Sequence, residues 1–200
     1  MSSGAVVVLG GGSAGEAFVA ALRRLDGAVP LTVVERELVG GECTYFACMP
    51  SKTLLRSTEL LAAARIAPGA AEAIAGPANA ERVFWWRDQV TDGLNDASHA
   101  TWLADRDVEL VRSGAEIVEP GLVRVGDRDI PYEKLVIATG SAAAVPEIPG
   151  LTGTEFWTSR EATSASDVPE SLLILGGGAV GCELAQFYRR MGTRVGIVQR

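Results

Sequence analysis

Basic residues are scarce in this sequence. Eighteen Lys and Arg stand against 25 Asp and Glu, a formal net charge of −7. A nucleic-acid surface needs clustered cations, so this balance argues against that class of partner. Long apolar runs are missing as well. No stretch approaches the ~20 residues that a membrane-spanning helix requires. The N-terminus has no basic residue ahead of the apolar run Val6–Leu9, which therefore reads as a buried strand and not as a secretion signal. A cytoplasmic protein is expected. Cysteine is limited to Cys43, Cys48 and Cys182. In a reducing compartment these are not structural disulfides, and the closeness of the first two suggests metal, redox or catalytic chemistry. The single histidine, His99, stands alone in a helical stretch and reads as a surface or packing residue.

What is present is an ordinary globular composition, 48% hydrophobic and 22% charged over 200 residues. That suits one large domain or two small ones. Two segments begin alike. Residues 5–10 are a short apolar run ending in Gly10, followed by Gly11, Gly12, Ser13, Ala14, Gly15 and a helical pattern to Leu25. Residues 171–176 repeat the design, with Gly177, Gly178, Ala179, Val180, Gly181 and a helical pattern to Met191. Each returns to a strand, Leu31–Glu35 in the first case and Arg194–Gln199 in the second. The chain thus enters two parallel nucleotide-binding sheets in succession, an α/β architecture. Between them, Pro50–Ala64 reads as a helix opened by Pro50, and 79–106 as one long helical stretch. The short apolar runs Val108–Val111, Glu116–Val118, Leu122–Val125 and Leu135–Ala138 read as a β-meander ending in a core strand. Residues 68–79 and 141–154 look like connectors, the second marking a boundary between a domain at 1–150 and the start of another at 151–200.

Gly10-x-Gly12-x-x-Gly15 follows a strand and opens a helix. Its glycines permit the tight turn, the approach of backbone to a pyrophosphate, and close packing of helix on strand. The helix N-terminus adds N–H donors and partial positive charge. Glu35 ends the second strand, where a carboxylate would meet ribose hydroxyls. Gly176-x-Gly178-x-x-Gly181 has the same context, but its second strand ends in Gln199-Arg200. An acidic residue there favours NAD and an arginine favours the 2′-phosphate of NADP. The reading leans to NADP, with a merely solvated Arg200 as the alternative.

Cys43 and Cys48 are five positions apart, roughly 7.5 Å along a regular helix axis. Disulfides rarely tolerate Cα separations beyond about 7 Å, so the pair closes only on a distorted backbone, and a strained disulfide is the reducible kind. A helix beginning near Pro50 would favour the Cys48 thiolate. Metal binding lacks further ligands at zinc-like spacing. Cys182, just inside a helix, reads as a buried structural thiol.

These features together resemble the class I pyridine nucleotide–disulfide oxidoreductases, the family of dihydrolipoamide dehydrogenase, glutathione reductase and mercuric reductase. The resemblance rests on the first glycine loop with Glu35, on Gly40-Gly41-x-Cys43-x4-Cys48-x-Pro50-Ser51-Lys52, on Val136-Ile137-Ala138-Thr139-Gly140, and on the second loop followed by Cys182-Glu183. It implies a Rossmann-like FAD-binding domain followed by the start of an NAD(P)-binding one. FAD would be held by Gly10, Gly12, Ser13, Ala14, Gly15, Glu35, Arg36, Gly40, Gly41, Glu42, Lys52, Ala115, Ala138, Thr139 and Gly140. NADP or NAD would be held by Gly176, Gly178, Val180, Gly181, Glu183 and Arg200. Cys48 would be the thiol facing the flavin and Cys43 the interchange thiol. Lys52 and Glu183 match a pair beside flavin N5, which predicts that their side chains lie within salt-bridge reach.

The resemblance also implies a small disulfide or dithiol substrate, dihydrolipoamide first, and a homodimer. Mercuric reductase and a quinone or small-acceptor reductase are alternatives. The sequence departs from the family at Glu42, where many members have Thr, and at the bulky Tyr45 and Phe46. It is less than half the usual length, so it reads as an N-terminal fragment lacking the His–Glu dyad. An inactive flavin-binding module is the rival reading from outside the enzymes.

Overall fold

The computed structural model describes residues 4–199. In chain order the elements are β1 (Val6–Leu9), α1 (Ser13–Leu25), β2 (Leu31–Glu35), α2 (Gly41–Tyr45), α3 (Cys48–Arg65), α4 (Ala80–Val90), α5 (Ala97–Ala104), β3 (Val108–Arg112), β4 (Glu116–Glu119), β5 (Leu122–Val125), β6 (Arg128–Pro131), β7 (Lys134–Ile137), α6 (Ser159–Ser164), β8 (Ser171–Leu175), α7 (Ala179–Arg190) and β9 (Arg194–Val198). They fall into two compact units. The described residues of Met1–Tyr45 with Leu94–Ala142 form one, and those of Phe46–Gly93 with Ala143–Arg200 form the other.

The first unit is built on a four-stranded sheet in the order β3-β2-β1-β7, with all neighbours parallel. β1 is central, so both of its faces are covered and all four of its residues are buried. Strand side chains alternate between faces. Val6 and Val8 therefore join Leu31, Val33, Val19 of α1 and Leu103 of α5 in one core. Val7 and Leu9 join Val34 and the buried Val123, Val125 and Ile130 of an antiparallel β4-β5-β6 sheet in the other. Each fully buried valine contributes about 1.5–3 kcal/mol, so the fold is anchored on the strand from which the first glycine loop departs.

Two expectations need correction here. β3 pairs with β2 of the parallel sheet and not with the meander; the meander's third strand is β6, whose polar Arg-Asp-Ile-Pro buries only Ile130. The stretch 79–106 is also not one helix. Asp92, Gly93 and Leu94 all have positive φ, a left-handed turn that ends α4 and lets α5 start afresh. Asp-Gly favours such a turn because glycine has no Cβ to clash and Asp tolerates it.

The second unit carries the parallel pair β8-β9 and the helices α3, α4, α6 and α7. Its core joins Leu54 and Leu55 of α3, Val83 and Phe84 of α4, Ala162 of α6, and Leu184, Phe187 and Tyr188 of α7. Phe187 and Tyr188 meet edge to face at 4.9 Å. Burial pushes the Tyr188 phenol up to about 12, and its hydroxyl donates to the Ala162 carbonyl at 2.6 Å. Among the described residues no helix is long and apolar enough to cross a membrane.

Candidate dinucleotide loops and redox helix

Gly10 has φ +104, and a Cβ there would run into the Ala138 carbonyl. A Cβ on Gly15 would run into the Gly10 carbonyl. The turn thus demands glycine at both positions for steric reasons. Glu35 closes it. Its Oε2 accepts from Gly11 N–H at 2.7 Å, and its Oε1 accepts from Glu37 N–H at 2.7 Å. The carboxylate therefore stands beside the loop, at the end of β2.

A second glycine segment lies against the first. Gly40 N–H donates to the Gly11 carbonyl at 2.8 Å, and a Cβ on Gly41 would stand 2.7 Å from Gly12 Cα. This segment is fixed from below by Asp96, which no sequence signal identified. Asp96 accepts from Val39 N–H at 2.8 Å and from Arg112 Nη1 and Nη2 at 2.7 and 2.9 Å. The Arg112 guanidinium holds the Asp96 carboxyl below the usual carboxylate range, against the opposing effect of burial. His99 packs edge-on to Tyr45, with Nδ1 2.5 Å from Glu16 Oε1. Ser13, Glu16 and His99 line an open cavity beside the first turn of α1.

The N-cap of α1 is Gly12, with no side-chain cap, and Ser13 and Ala14 are exposed. The first amides of α1 thus face outward from a loop with no side chain in the way, flanked by Gly40 and Gly41. That cradle fits the pyrophosphate of a dinucleotide. Thr139 and Gly140 follow β7 and are exposed, as are Arg36 and Ala115, while Glu42 is half-buried.

The second loop repeats the first almost bond for bond. Gly176 has φ +112, and a Cβ on Gly181 would strike the Gly176 carbonyl. Gly177 N–H donates to Gln199 Oε1 at 2.5 Å, as Gly11 donates to Glu35. Gly178 caps α7 without a side chain, and Ala179 and Val180 are exposed. This cradle also fits a pyrophosphate, with an amide in place of the carboxylate. Arg200 lies outside the described residues. Cys182 is not buried. It lies exposed on α7, its Sγ 3.4 Å from the Gly177 carbonyl; the buried face of that helix is taken by Leu184, Phe187 and Tyr188.

Cys43 is half-buried in α2, and Cys48 is exposed as the first residue of α3. The backbone leaves the helical region at Ala47, with φ −123 and ψ −94. Pro50 occupies the third helical position instead of the first. It is tolerated there because the first four helical amides have no partner within the helix. Cys48 therefore sits at the positive end of α3. One turn on, Lys52 Nζ is 2.6 Å from Glu183 Oε2 of α7, and Ser51 Oγ lies 3.5 Å from the same oxygen. The predicted salt-bridge reach is met.

Comparison with known proteins agrees with this geometry. The family described as pyridine nucleotide-disulphide oxidoreductase matches residues 4–200. A mercuric reductase of Staphylococcus aureus is 31% identical over 94% of the chain and 35% of its own length. One from Shigella flexneri is 32% identical over 100% of the chain and 37% of its own length. Among solved structures, a Cu(II) complex of the HOCl-induced flavoprotein disulfide reductase RclA from Escherichia coli superposes with a TM-score of 0.80 at 27% identity, over 96% of this chain and 41% of that one. LpdA of Mycobacterium tuberculosis shares the fold, with a TM-score of 0.75 at 22% identity, over 96% of this chain and 44% of that one. The chain spans little more than a third of the length of the curated relatives it matches.

Proposed function

Because the chain belongs to the pyridine nucleotide-disulphide oxidoreductase family, we propose that it is the flavin-binding and redox-disulfide part of an enzyme moving electrons between NAD(P)H and a disulfide or dithiol. The observation that carries the reading is the Lys52–Glu183 ion pair. It joins the helix that begins at Cys48 to the helix that begins at the second glycine loop. A chain that merely stored a nucleotide would have no use for that link.

FAD held at the first loop would supply a two-electron relay between nicotinamide and sulfur. The remaining work falls to the chain's own residues. Gly10, Gly12, Ser13, Ala14, Gly15, Gly40 and Gly41 give the pyrophosphate backbone N–H donors and room to approach. Glu35 takes the ribose, with Arg36, Glu42, Ala115, Ala138, Thr139 and Gly140 completing the site. Gly176, Gly178, Val180 and Gly181 seat the nicotinamide dinucleotide. Gln199 carries no negative charge to repel a 2′-phosphate, and the basic Arg200 follows it in the sequence, so NADPH is the preferred donor. Lys52 places positive charge where electron density accumulates on reduction, and Glu183 orients it.

In net terms NAD(P)H and a proton reduce the Cys43–Cys48 disulfide to two thiols, leaving NAD(P)+. Cys43 then attacks the substrate disulfide as thiolate, releasing one substrate thiol. Cys48 resolves the mixed disulfide and releases the second. The helix N-terminus at Cys48 stabilises its thiolate between these steps. Dihydrolipoamide or its oxidised form is the substrate of first choice, acted on by a homodimer. A second reading, reduction of a soft metal ion held by the same two thiolates, is favoured by the relatives named mercuric reductase and by the Cu(II) complex of RclA.

The deciding experiment reduces the full-length, FAD-loaded protein anaerobically with one equivalent of NADPH and then alkylates it. Two new labelled thiols, mapped to Cys43 and Cys48, are expected. Oxidation of NADPH with an unchanged thiol count would leave a simple flavin reductase.

A further inference from the structure

Gly11 is held on both sides. Its N–H donates to Glu35 Oε2 at 2.7 Å, and its carbonyl accepts from Gly40 N–H at 2.8 Å. It is the residue before Gly12, the N-cap of α1. Whatever fixes Gly11 therefore fixes the direction in which the first amides of that helix point. The two holds come from different elements, the end of β2 and the turn that opens α2.

Both holds lead to one side chain. Glu35 and Arg112 are neighbours in register across the parallel strands β2 and β3, so their side chains leave the same face of the sheet. On the other branch, Gly40 follows Val39, whose N–H donates to Asp96 Oδ2 at 2.8 Å. The same Oδ2 accepts from Arg112 Nη1 at 2.7 Å, and Oδ1 accepts from Nη2 at 2.9 Å. These are the two parallel contacts that a planar guanidinium makes with a carboxylate. The Asp96 hydrogen bonds, and then the Asp96 and Glu35 charges, push the Arg112 guanidinium above its ordinary value. Gly11, Glu35, Arg112, Asp96, Val39 and Gly40 thus form a closed ring, with one cation between two carboxylates.

We propose that Arg112 is a positioning residue for the cofactor diphosphate: by holding Asp96 and standing beside Glu35, it locks the two glycine segments to each other and aims the α1 amides before the cofactor arrives. The inference rests on the reading of the first loop as the FAD site. A turn built on Gly10, Gly11 and Gly12 is free to sample many conformations, and ordering it on binding would cost affinity. The ring removes that freedom in advance. Two separate pins would act independently. A ring that shares one cation couples them, so breaking either branch loosens the other.

The test titrates the full-length apoprotein with FAD, read by flavin fluorescence, and with NADPH as the internal control. Arg112→Met, which keeps the reach of the side chain without its charge, should weaken FAD binding about tenfold and leave NADPH affinity within about twofold. Arg112→Lys, a cation without the planar fork, should recover FAD binding to within about threefold of the parent. Asp96→Asn should weaken FAD binding in the parent background, yet add less than about twofold to Arg112→Met, the non-additivity expected of one network. The double variant Arg112→Met, Asp96→Asn leaves no unpaired buried carboxylate. It decides the matter if Arg112→Met does not fold, and should bind FAD about tenfold more weakly than the parent. A lowered melting temperature with unchanged FAD affinity, or Asp96 and Arg112 effects that simply add, overturns the inference while leaving the first loop as the FAD site. A parent protein that binds no FAD overturns both.

Discussion

Lys52 and Glu183 meet at 2.6 Å although 131 positions separate them in the chain. Their side chains are 60% and 31% exposed, and an ion pair at that exposure contributes only about 0–1 kcal/mol to stability. Stability is therefore a poor reason for the pair to exist. Lys52→Ala and Glu183→Gln in the full-length protein should leave the melting temperature within a few degrees of the parent. NADPH-driven reduction of the disulfide should slow about tenfold or more, the scale of a single preorganised charge at a reacting centre. Rapid-mixing kinetics read the rate. Unchanged rates in both variants would make the pair a surface contact.

The two glycine loops differ in the acceptor that closes them. Glu35 serves Gly11, and Gln199 serves Gly177. The substitution Gln199→Glu keeps an acceptor for the Gly177 N–H and adds a negative charge where a 2′-phosphate would lie. It should shift the ratio of kcat/KM for NADPH over NADH at least tenfold toward NADH. The reciprocal Glu35→Gln should preserve the loop and weaken FAD binding about tenfold, the scale of a charged hydrogen bond lost to a neutral one. Fluorescence titration of the apoprotein with FAD measures the second effect, and steady-state kinetics the first. A constant cofactor ratio in the Gln199 variant would remove this residue from cofactor choice.

The two glycine loops were legible in the sequence because each imposes a local steric demand that only a few residue types meet. Gly10 and Gly176 are required by their own backbone angles, and Gly15 and Gly181 by a carbonyl a few residues away. Most of what the sequence misses involves partners distant in the chain. Val108–Arg112 alternates like any strand, and nothing within it reveals that it pairs with Leu31–Glu35. Nothing in the sequence around Asp96 points to its partners, Val39 and Arg112. Cys182 reads as buried until the helix face taken by Leu184, Phe187 and Tyr188 is known. The Asp92-Gly93 break was local and readable, and it was outweighed by the helical residues around it.

Asp96 lends the Gly40–Gly41 segment a pH dependence. Its carboxyl pKa is lowered in the folded protein, chiefly by the Arg112 hydrogen bonds. A lowered pKa means that the charged form is the one that stabilises the fold. The contribution is complete above the unfolded value, about 3.9, and is lost as pH falls through the folded value. Asp96→Asn retains an acceptor for Val39 N–H but not the charge, and should cost about 1–2 kcal/mol near neutral pH. It should also flatten the loss of stability below about pH 4. Asp96→Ala strands the Val39 N–H and should cost about 3 kcal/mol. Thermal unfolding across pH 3 to 7, a window set by the carboxylate range, measures both. A parent and Asn variant with parallel acid profiles would show that Arg112 does not hold the charge.

The glycines separate folding from binding more sharply than any charged residue does. A Cβ on Gly15 or Gly181 would collide with a backbone carbonyl of its own loop. Gly15→Ala and Gly181→Ala should therefore cost about 2–3 kcal/mol as overpacking. Gly12 and Gly178 are different. Both have negative φ with extended ψ, a conformation that alanine adopts freely. The nearest atom to a Cβ on Gly12 is Gly41 Cα at 3.6 Å, and a Cβ on Gly178 meets nothing within 4 Å. Gly12→Ala and Gly178→Ala should fold with stability within about 0.5 kcal/mol of the parent. Their methyl groups would nonetheless project over the uncapped amides of α1 and α7, where a pyrophosphate would have to approach. Gly12→Ala should weaken FAD binding at least tenfold with NAD(P)H affinity unchanged, and Gly178→Ala the reverse. Equal loss of both cofactors in either variant would mean that the two loops are not separate dinucleotide sites. Full binding in both would mean that neither loop contacts a phosphate.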